Sequence, residues 1–163
     1  MEIRAAAAGD GDAIERVRVR GWQAAYRHVF PAAELDALPV DGSRWTARIK
    51  TPPPGWATFV ADDGAVAGFA CTGPSRDESG VGELYAIYVD PASWGTGAGR
   101  ALIVRAEEQL REQYDEATLW VLEDNPRARR FYERAGWSAD GARKAEERWG
   151  VRATEVRYRK KLR

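Results

Sequence analysis

Residues 83–106 read ELYAIYVDPASWGTGAGRALIVRA, and their pattern predicts the central architecture of the chain. It begins with an unbroken apolar run from Leu84 to Val89, rich in β-branched and aromatic residues, which predicts a strand buried on both faces. Pro91 ends this strand, because proline has no N–H group to donate to a ladder. Apolar residues at helical spacing follow from Leu102. The stretch is therefore expected to fold as a strand, a turn and a helix.

The turn between that strand and helix contains Gly95, Gly97 and Gly99, one glycine at every second position. Glycines let the backbone bend sharply and expose its N–H groups. The first turn of the following helix adds unpaired N–H groups and a partial positive charge. Together these features favour a phosphate or pyrophosphate ligand. On spacing alone, a tight turn without any ligand is the alternative.

Two other anion-binding loops do not fit this spacing. A dinucleotide fingerprint, Gly-x-Gly-x-x-Gly, that starts at Gly95 would need its third glycine at position 100, which is Arg100. A mononucleotide loop would end in Gly-Lys-Ser/Thr, and no lysine is near. The spacing therefore disfavours a nucleotide-binding protein and favours another phosphate-bearing cofactor.

A second well-marked helix follows an apolar strand at 117–122. Asn125 is a natural N-cap, Pro126 suits the first helical position, and Gly136 is placed for a left-handed C-terminal cap. The central strand from Leu84, the helix from Leu102 and this strand at 117–122 follow one another along the chain. This order predicts that the two strands are parallel and joined by a right-handed crossover.

Both segments resemble the signatures of the GCN5-related N-acetyltransferase (GNAT) family. The run from Val89 to Leu102 is similar to the family's acetyl-CoA-binding motif, a valine and proline followed by Gln/Arg-x-x-Gly-x-Gly/Ala. Trp94 stands at the Gln/Arg position, so Arg100 is a candidate for the missing positive charge. The run from Asn125 to Trp137 resembles the second signature, Asn-x-x-Ala-x-x-Phe-Tyr-x-x-x-Gly-Phe/Trp.

The resemblance implies an α/β fold, the GNAT acyl-CoA N-acyltransferase fold, with a mixed, mostly antiparallel central sheet flanked by helices and a single domain over residues 1–163. It implies transfer of an acetyl group from acetyl-CoA to a primary amine by direct attack in a ternary complex. Tyr132 is the expected general acid, Asn125 contacts the pantetheine arm, and the oxyanion donor is a backbone group near Tyr88 or Val89. The implied cofactor-binding residues are Ile87, Tyr88, Val89, Trp94, Gly95, Thr96, Gly97, Ala98, Gly99, Arg100, Asn125, Ala128 and Tyr132.

The sequence says less about the residues that bind and activate the acceptor. Glu83 is the candidate base, because it is an acid at the start of an apolar strand where many family members place a catalytic carboxylate. The alternative is that Glu83 is an exposed strand-end residue and that a water relay or bulk solvent takes the proton. Tyr85 is expected to line the acceptor pocket. Trp22 and Tyr26 either form a wall of that pocket, as the resemblance implies, or only pack helices together.

Composition limits the other functions. Lys and Arg balance Asp and Glu at 25 each, so a general nucleic-acid binder is disfavoured. Cys71 and His28 are the only residues of their types, which excludes an internal disulfide and a structural zinc site. No signal-like start or long apolar span is present, so a cytoplasmic protein without metal or membrane partner is expected.

A small-molecule amine is the first choice of acceptor, and a protein N-terminus or lysine is the second. A non-catalytic acyl-CoA-binding or sensor module is a further alternative. The oligomeric state is left open, with a homodimer among the alternatives.

The flanking segments predict further sheet. A three-stranded antiparallel meander is expected from Trp56 through the central strand, with a hairpin turn at 62–64. After a short strand at 137–139, a charged loop is expected through Gly150, and then a last strand at 151–162 with one wet face and a solvated basic edge.

Overall fold

One mixed sheet of seven strands organises the chain, and the computed structural model describes all 163 residues. Its spatial order is β1-β2-β3-β4-β5-β7-β6, and only β4 and β5 run parallel. This confirms the expected mixed, mostly antiparallel sheet. The strands are β1 (Glu2–Ala5), β2 (Ala57–Asp62), β3 (Val66–Pro74), β4 (Gly82–Val89), β5 (Glu116–Leu122), β6 (Ser138–Arg148) and β7 (Val151–Lys161).

Five helices cover the two faces of the sheet, and none is both long and apolar enough to cross a membrane. On one face, α4 and α5 pack over the strands through a large apolar cluster that includes Leu102, Leu119 and Tyr158. On the other face, α1 and α3 enclose a second cluster that includes Ile14 and Phe69. The helices are α1 (Gly11–Ala25), α2 (Ala32–Asp36), α3 (Ser43–Lys50), α4 (Ala98–Arg111) and α5 (Pro126–Arg134).

The central strands part soon after they meet. β4 and β5 pair only at Gly82 with Ala117 and at Glu83 with Thr118, although the strands are 8 and 7 residues long. Beyond this point they diverge and leave a gap in the middle of the sheet. A bulge in β4 at Tyr85, which has no partner on β3, adds local twist beside the gap. We call this gap the splay.

The expected charged loop through Gly150 is wrong. Residues 138–148 form β6, an 11-residue strand at the edge of the sheet that is antiparallel to β7. The sequence shows no apolar alternation there because most β6 side chains are exposed, and the ladder with β7 supplies the order. Trp149 and Gly150, with φ of 52° and 76°, form the tight turn of this hairpin.

The expected solvated edge on the last strand is wrong as well. β7 lies between β5 and β6, and so it has a neighbour on each side. Its Arg157 and Arg159 both reach Asp140, at 2.7 and 3.3 Å. Their charges are therefore paired within the sheet.

Candidate active site

Two cavities meet in the splay. The aromatic cavity, of about 430 Å³, lies between α1, the splayed strands and the β6–β7 hairpin. The loop cavity, of about 320 Å³, lies between the glycine turn and α5. Residues that line both cavities mark their junction, and these are Ile87, Val89, Trp94, Arg127, Ala128 and Tyr132.

The glycine turn gives the loop cavity its open floor. Gly95 and Gly97 have φ of 78° and 90°, a conformation that other residues rarely adopt. A Cβ at either position would meet no atom within 4 Å. At Gly99, in contrast, a Cβ would lie 3.1 Å from the Phe131 ring, so this glycine lets α4 and α5 pack closely.

The same turn presents a row of free donors. The backbone N–H groups of residues 95 and 97–100 donate to no other group of the chain, and α4 has no side-chain cap. Such groups at a helix N-terminus form a receptor for an anion. Three arginines and no acidic residue line the cavity, namely Arg100, Arg127 and Arg134, and none of them is in an ion pair. Donors and charge both fit a pyrophosphate.

Trp94 braces the turn against the central strand. Its indole nitrogen donates to the carbonyl oxygen of Val89 at 3.0 Å, and the guanidinium of Arg127 lies over its ring. Partial desolvation lowers the pKa of Arg127, which is otherwise exposed and has no carboxylate partner. Thr96 lies outside both cavities, where its hydroxyl donates to the carbonyl oxygen of Ser93 at 2.6 Å. Its side chain therefore holds the turn together.

Asn125 has the capping role that the sequence predicts. Its side-chain oxygen accepts from the N–H of Ala128 at 3.1 Å, and its amide nitrogen lies 3.3 Å from the Tyr26 hydroxyl. The amide also lines the aromatic cavity. Capping and a ligand contact are therefore compatible.

Tyr132 lies at the junction of the cavities. Its side chain is 8% exposed and its hydroxyl makes no hydrogen bond to another protein group. Burial, with a smaller contribution from nearby Tyr88, raises the pKa of the Tyr132 phenol well above its ordinary value. Tyr132 is therefore a protonated donor at neutral pH that no internal acceptor occupies.

The backbone of β4 faces the splay at alternate residues. The N–H of Asp90 donates to the carbonyl of Ala67 on β3 at 2.8 Å. Alternation in an antiparallel ladder turns the N–H of Tyr88 toward β3 as well, and directs those of Ile87 and Val89 into the splay. Of the two predicted oxyanion donors, the geometry favours Val89.

The aromatic wall lies opposite this backbone. Trp22 and Tyr26 pack edge to face with ring centroids 4.9 Å apart, and the Trp22 indole nitrogen donates to the Tyr88 hydroxyl at 3.0 Å. The Tyr85 hydroxyl donates to the carbonyl of Pro74. Trp22, Tyr26 and Tyr85 all line the aromatic cavity, so helix packing and a wall for the acceptor coexist.

Residues 18–137 match the model of the Acetyltransferase (GNAT) family. The chain belongs to this family. The GNAT membership confirms the expected fold and the expected class of enzyme, an acetyl-CoA-dependent acetyltransferase.

The proteins to which this GNAT chain is similar are also named acetyltransferases. The N-acetyltransferase YuaI of Bacillus subtilis is 35% identical over 77% of this chain and 74% of its own length. A mycothiol acetyltransferase of Beutenbergia cavernae is 32% identical over 76% of this chain, and the matched part spans only 45% of that protein. An acetyltransferase from Salmonella typhimurium solved with acetyl-CoA has a TM-score of 0.79 at 21% identity, covering 100% of this chain and 94% of that one. The last likeness shows the shared fold.

The GNAT fold places Glu83 away from the cavities. The residue is fully buried where β4 and β5 pair, and it lines neither cavity. Its carboxylate accepts from the backbone N–H of Arg76 at 2.9 Å and from the Arg76 guanidinium at 2.5 Å. These contacts favour a structural role, and its role as base stays a prediction.

Some residues that line the cavities carry no clear signal in the sequence, among them Arg127 and Glu155. Arg127 follows the N-cap of α5 and carries no signal beyond a helical position. Glu155 lies on the face of the last strand that alternation predicts to be wet, but it lines the aromatic cavity together with Glu146. Burial and the neighbouring Glu146 raise the pKa of Glu155 to about 7. The alternation along β7 gives the face of Glu155, but only the packing of α1 shows what that face covers.

Proposed function

We propose that this chain transfers the acetyl group of acetyl-CoA to the primary amine of a small molecule by direct attack in a ternary complex. The observation that carries the proposal is the meeting of two cavities at Tyr132. One cavity has the features of a pyrophosphate site, and the other is aromatic and large enough for a small acceptor. Acetyl donor and amine acceptor can therefore be bound side by side, which makes a bimolecular reaction effectively unimolecular.

A small acceptor is favoured over a protein chain by the size of the aromatic cavity. A volume of about 430 Å³ lies in the range of pockets that enclose small molecules. The relative named mycothiol acetyltransferase is consistent with this choice, but this chain spans less than half of that protein. Mycothiol itself is therefore not part of the proposal.

The residues of the chain divide the chemistry among them. Acetyl-CoA supplies an activated thioester when it is bound. The free N–H groups of residues 95 and 97–100 hold its pyrophosphate, and the N–H of Val89 faces the oxygen on which negative charge develops. Tyr132 donates its phenolic proton to the departing sulfur. Asn125 orients the pantetheine arm from the cap of α5.

Binding and turnover test the proposal separately. Acetyl-CoA should raise the melting temperature of the protein in proportion to its binding, while ATP and NAD should not. A panel of small amines, N-terminal peptides and lysine peptides is then assayed with a thiol reagent that detects free CoA. Turnover of small amines supports the proposal, whereas turnover of peptides alone would replace the acceptor class.

Two results would contradict more than the choice of a small-molecule acceptor. Stabilisation by acetyl-CoA without turnover of any amine would favour a sensor module. No stabilisation by any CoA ester would refute the assignment of the donor site.

A further inference from the structure

We propose that Glu155 accepts the proton of an acceptor that enters the aromatic cavity as an alkylammonium ion. This inference rests on the proposed function and names both the class of amine and the group that activates it. A primary alkylamine is protonated at neutral pH and has no lone pair with which to attack. A group inside the cavity must therefore remove its proton.

The sheet directs Glu155 into this cavity. On β7, Val156 and Tyr158 pack into the cluster under α4 and α5. Side chains alternate along a strand, so Glu155 and Ala153 lie on the opposite face. Ala153 packs there in a cluster with Tyr26, which follows the end of α1 and also lines the cavity.

The register places Glu155 close to the splay. It pairs with Leu122, the last residue of β5, and the chain then turns into Asn125 and α5. Leu122, Asn125 and Glu155 all line the aromatic cavity. The carboxylate thus stands on the same cavity as the junction residue Tyr132.

Glu155 is one of two carboxyl groups in this cavity, and their surroundings differ. Glu146 of β6 accepts two hydrogen bonds from Arg148, at 3.0 and 3.3 Å, and this cation holds it ionised. Glu155 forms no ion pair, and burial together with the neighbouring Glu146 raises its pKa. Because two ionised carboxylates repel, Glu155 is the member of the pair that gains and releases a proton.

The other groups that face Glu155 come from several elements. Burial and Glu146 raise its pKa, while Lys144 and Arg76 act against them, so that the pKa lies at about 7. Hydroxyl groups from the residue after α1 and from β4 complete the surroundings. The facing groups are Glu146, Lys144, Arg148, Arg76, Tyr26 and Tyr88.

The proton balance is complete without another reagent. Glu155 takes one proton from the ammonium ion, and the freed lone pair forms the C–N bond at the thioester carbonyl while the C–S bond breaks. The nitrogen loses its second proton to water, Tyr132 gives its proton to the sulfur and takes that proton back from water, and Glu155 releases the first proton to solvent. The sum is one acetamide, one free thiol and one released proton.

The test compares Glu155→Gln with Glu147→Gln. Glu147 is a neighbour of Glu146 on β6 that is exposed and lines neither cavity. With an alkylamine, kcat/KM of the wild-type protein should rise as the pH passes through about 7. Glu155→Gln should lose at least tenfold at pH 7, and its kcat/KM should follow the fraction of neutral amine, with no inflection near pH 7. Glu147→Gln should match the wild type.

Two further measurements separate a base from a structural residue. Arylamines are neutral at pH 7 and need no prior deprotonation, so Glu155→Gln should slow them far less than alkylamines. Glu146→Gln removes the neighbouring negative charge and should move the rise in kcat/KM to lower pH. In each variant, the stabilisation by acetyl-CoA reports whether the fold and donor site are intact.

The possible results separate the role of Glu155 as a base from the proposed acetyltransferase activity. Wild-type rate and pH profile in Glu155→Gln, or equal losses for alkylamines and arylamines, would overturn the role of Glu155 alone. A Glu155→Gln protein that no longer responds to acetyl-CoA would also overturn it, because the residue would then be structural. A wild-type protein that acetylates no amine would refute the proposed function and this inference with it.

Discussion

The guanidinium carbon of Arg127 lies 3.6 Å from the centroid of the Trp94 ring. This contact joins α5 to the glycine turn at the junction of the two cavities. Trp94 stands where the family motif has Gln or Arg, and it cannot donate a charged hydrogen bond to a phosphate. Arg127 is held beside it without a carboxylate partner, so the positive charge absent from the turn is present on the next helix.

Arg127→Ala should weaken the binding of acetyl-CoA on the order of tenfold, because hydrogen bonds to charged groups contribute about 1.5–3 kcal/mol. The loss should shrink at high salt, where the charge is screened. Arg127→Lys should recover only part of the affinity, since it keeps the charge but not the planar stacking. Calorimetric titration measures the effect, and Arg130→Ala is the control, because Arg130 is exposed on the same helix and lines neither cavity. Equal affinities in both alanine variants would contradict the role of Arg127.

Gly97→Trp should abolish the binding of acetyl-CoA by filling the open floor of the loop cavity. Gly64→Trp is a matched control, since Gly64 also has a positive φ and open space around it but lies in the β2–β3 turn. Both variants should lose stability by about 1 kcal/mol from the left-handed backbone. Only the first should lose the melting-temperature shift with acetyl-CoA. A shift retained in Gly97→Trp would show that the ligand binds elsewhere.

Local signals in the sequence predict the frame of the site well. The three glycines and the Asn125 cap act over a few residues, and their conformations follow from backbone chemistry that any fold would respect. The parallel pair of β4 and β5 follows from chain order.

The other features of the fold and of the site depend on contacts between residues that are far apart in the sequence. β6 is charged along most of its length and is a strand only because β7 pairs with it. Glu155 is a base candidate only because α1 closes a cavity over its face, and Arg127 reaches Trp94 only because α5 packs beside the glycine turn. Each of these depends on elements far apart in the chain, which no single-sequence pattern records.

Tyr132→Phe should lower kcat by about a hundredfold with little change in the affinity for acetyl-CoA. The free energy of unfolding should change by less than about 0.5 kcal/mol, because the hydroxyl has no partner within the chain. The control is Tyr158→Phe, whose lost hydroxyl bonds Arg129 and Glu133 at 3.0 and 2.7 Å. That variant should lose about 1–2 kcal/mol of stability and keep its rate. Wild-type turnover in Tyr132→Phe would remove its role as the acid.

Glu83→Gln should act mainly on stability. The buried carboxylate accepts from the backbone and guanidinium of Arg76, and the amide can replace only part of this, at a cost of about 2 kcal/mol. Denaturant unfolding measures the loss, and the pH dependence of kcat/KM should keep its shape. A profile that flattens in Glu83→Gln while stability is unchanged would instead support Glu83 as the base.

Glu155→Gln should stabilise the protein above about pH 7, in contrast to its loss of activity. The carboxyl has a folded pKa of about 7, above its unfolded value, so folding binds its proton. The contribution of Glu155 to the free energy of unfolding is therefore fully favourable below about pH 4. This contribution is lost as the pH rises through about 7. Glutamine does not ionise and avoids this loss, so the two proteins should be equally stable near pH 4 and should differ most above pH 7. Denaturant unfolding across this range, with Glu147→Gln as the control, checks the sign. A difference that is constant with pH would show that the proton on Glu155 is not linked to folding.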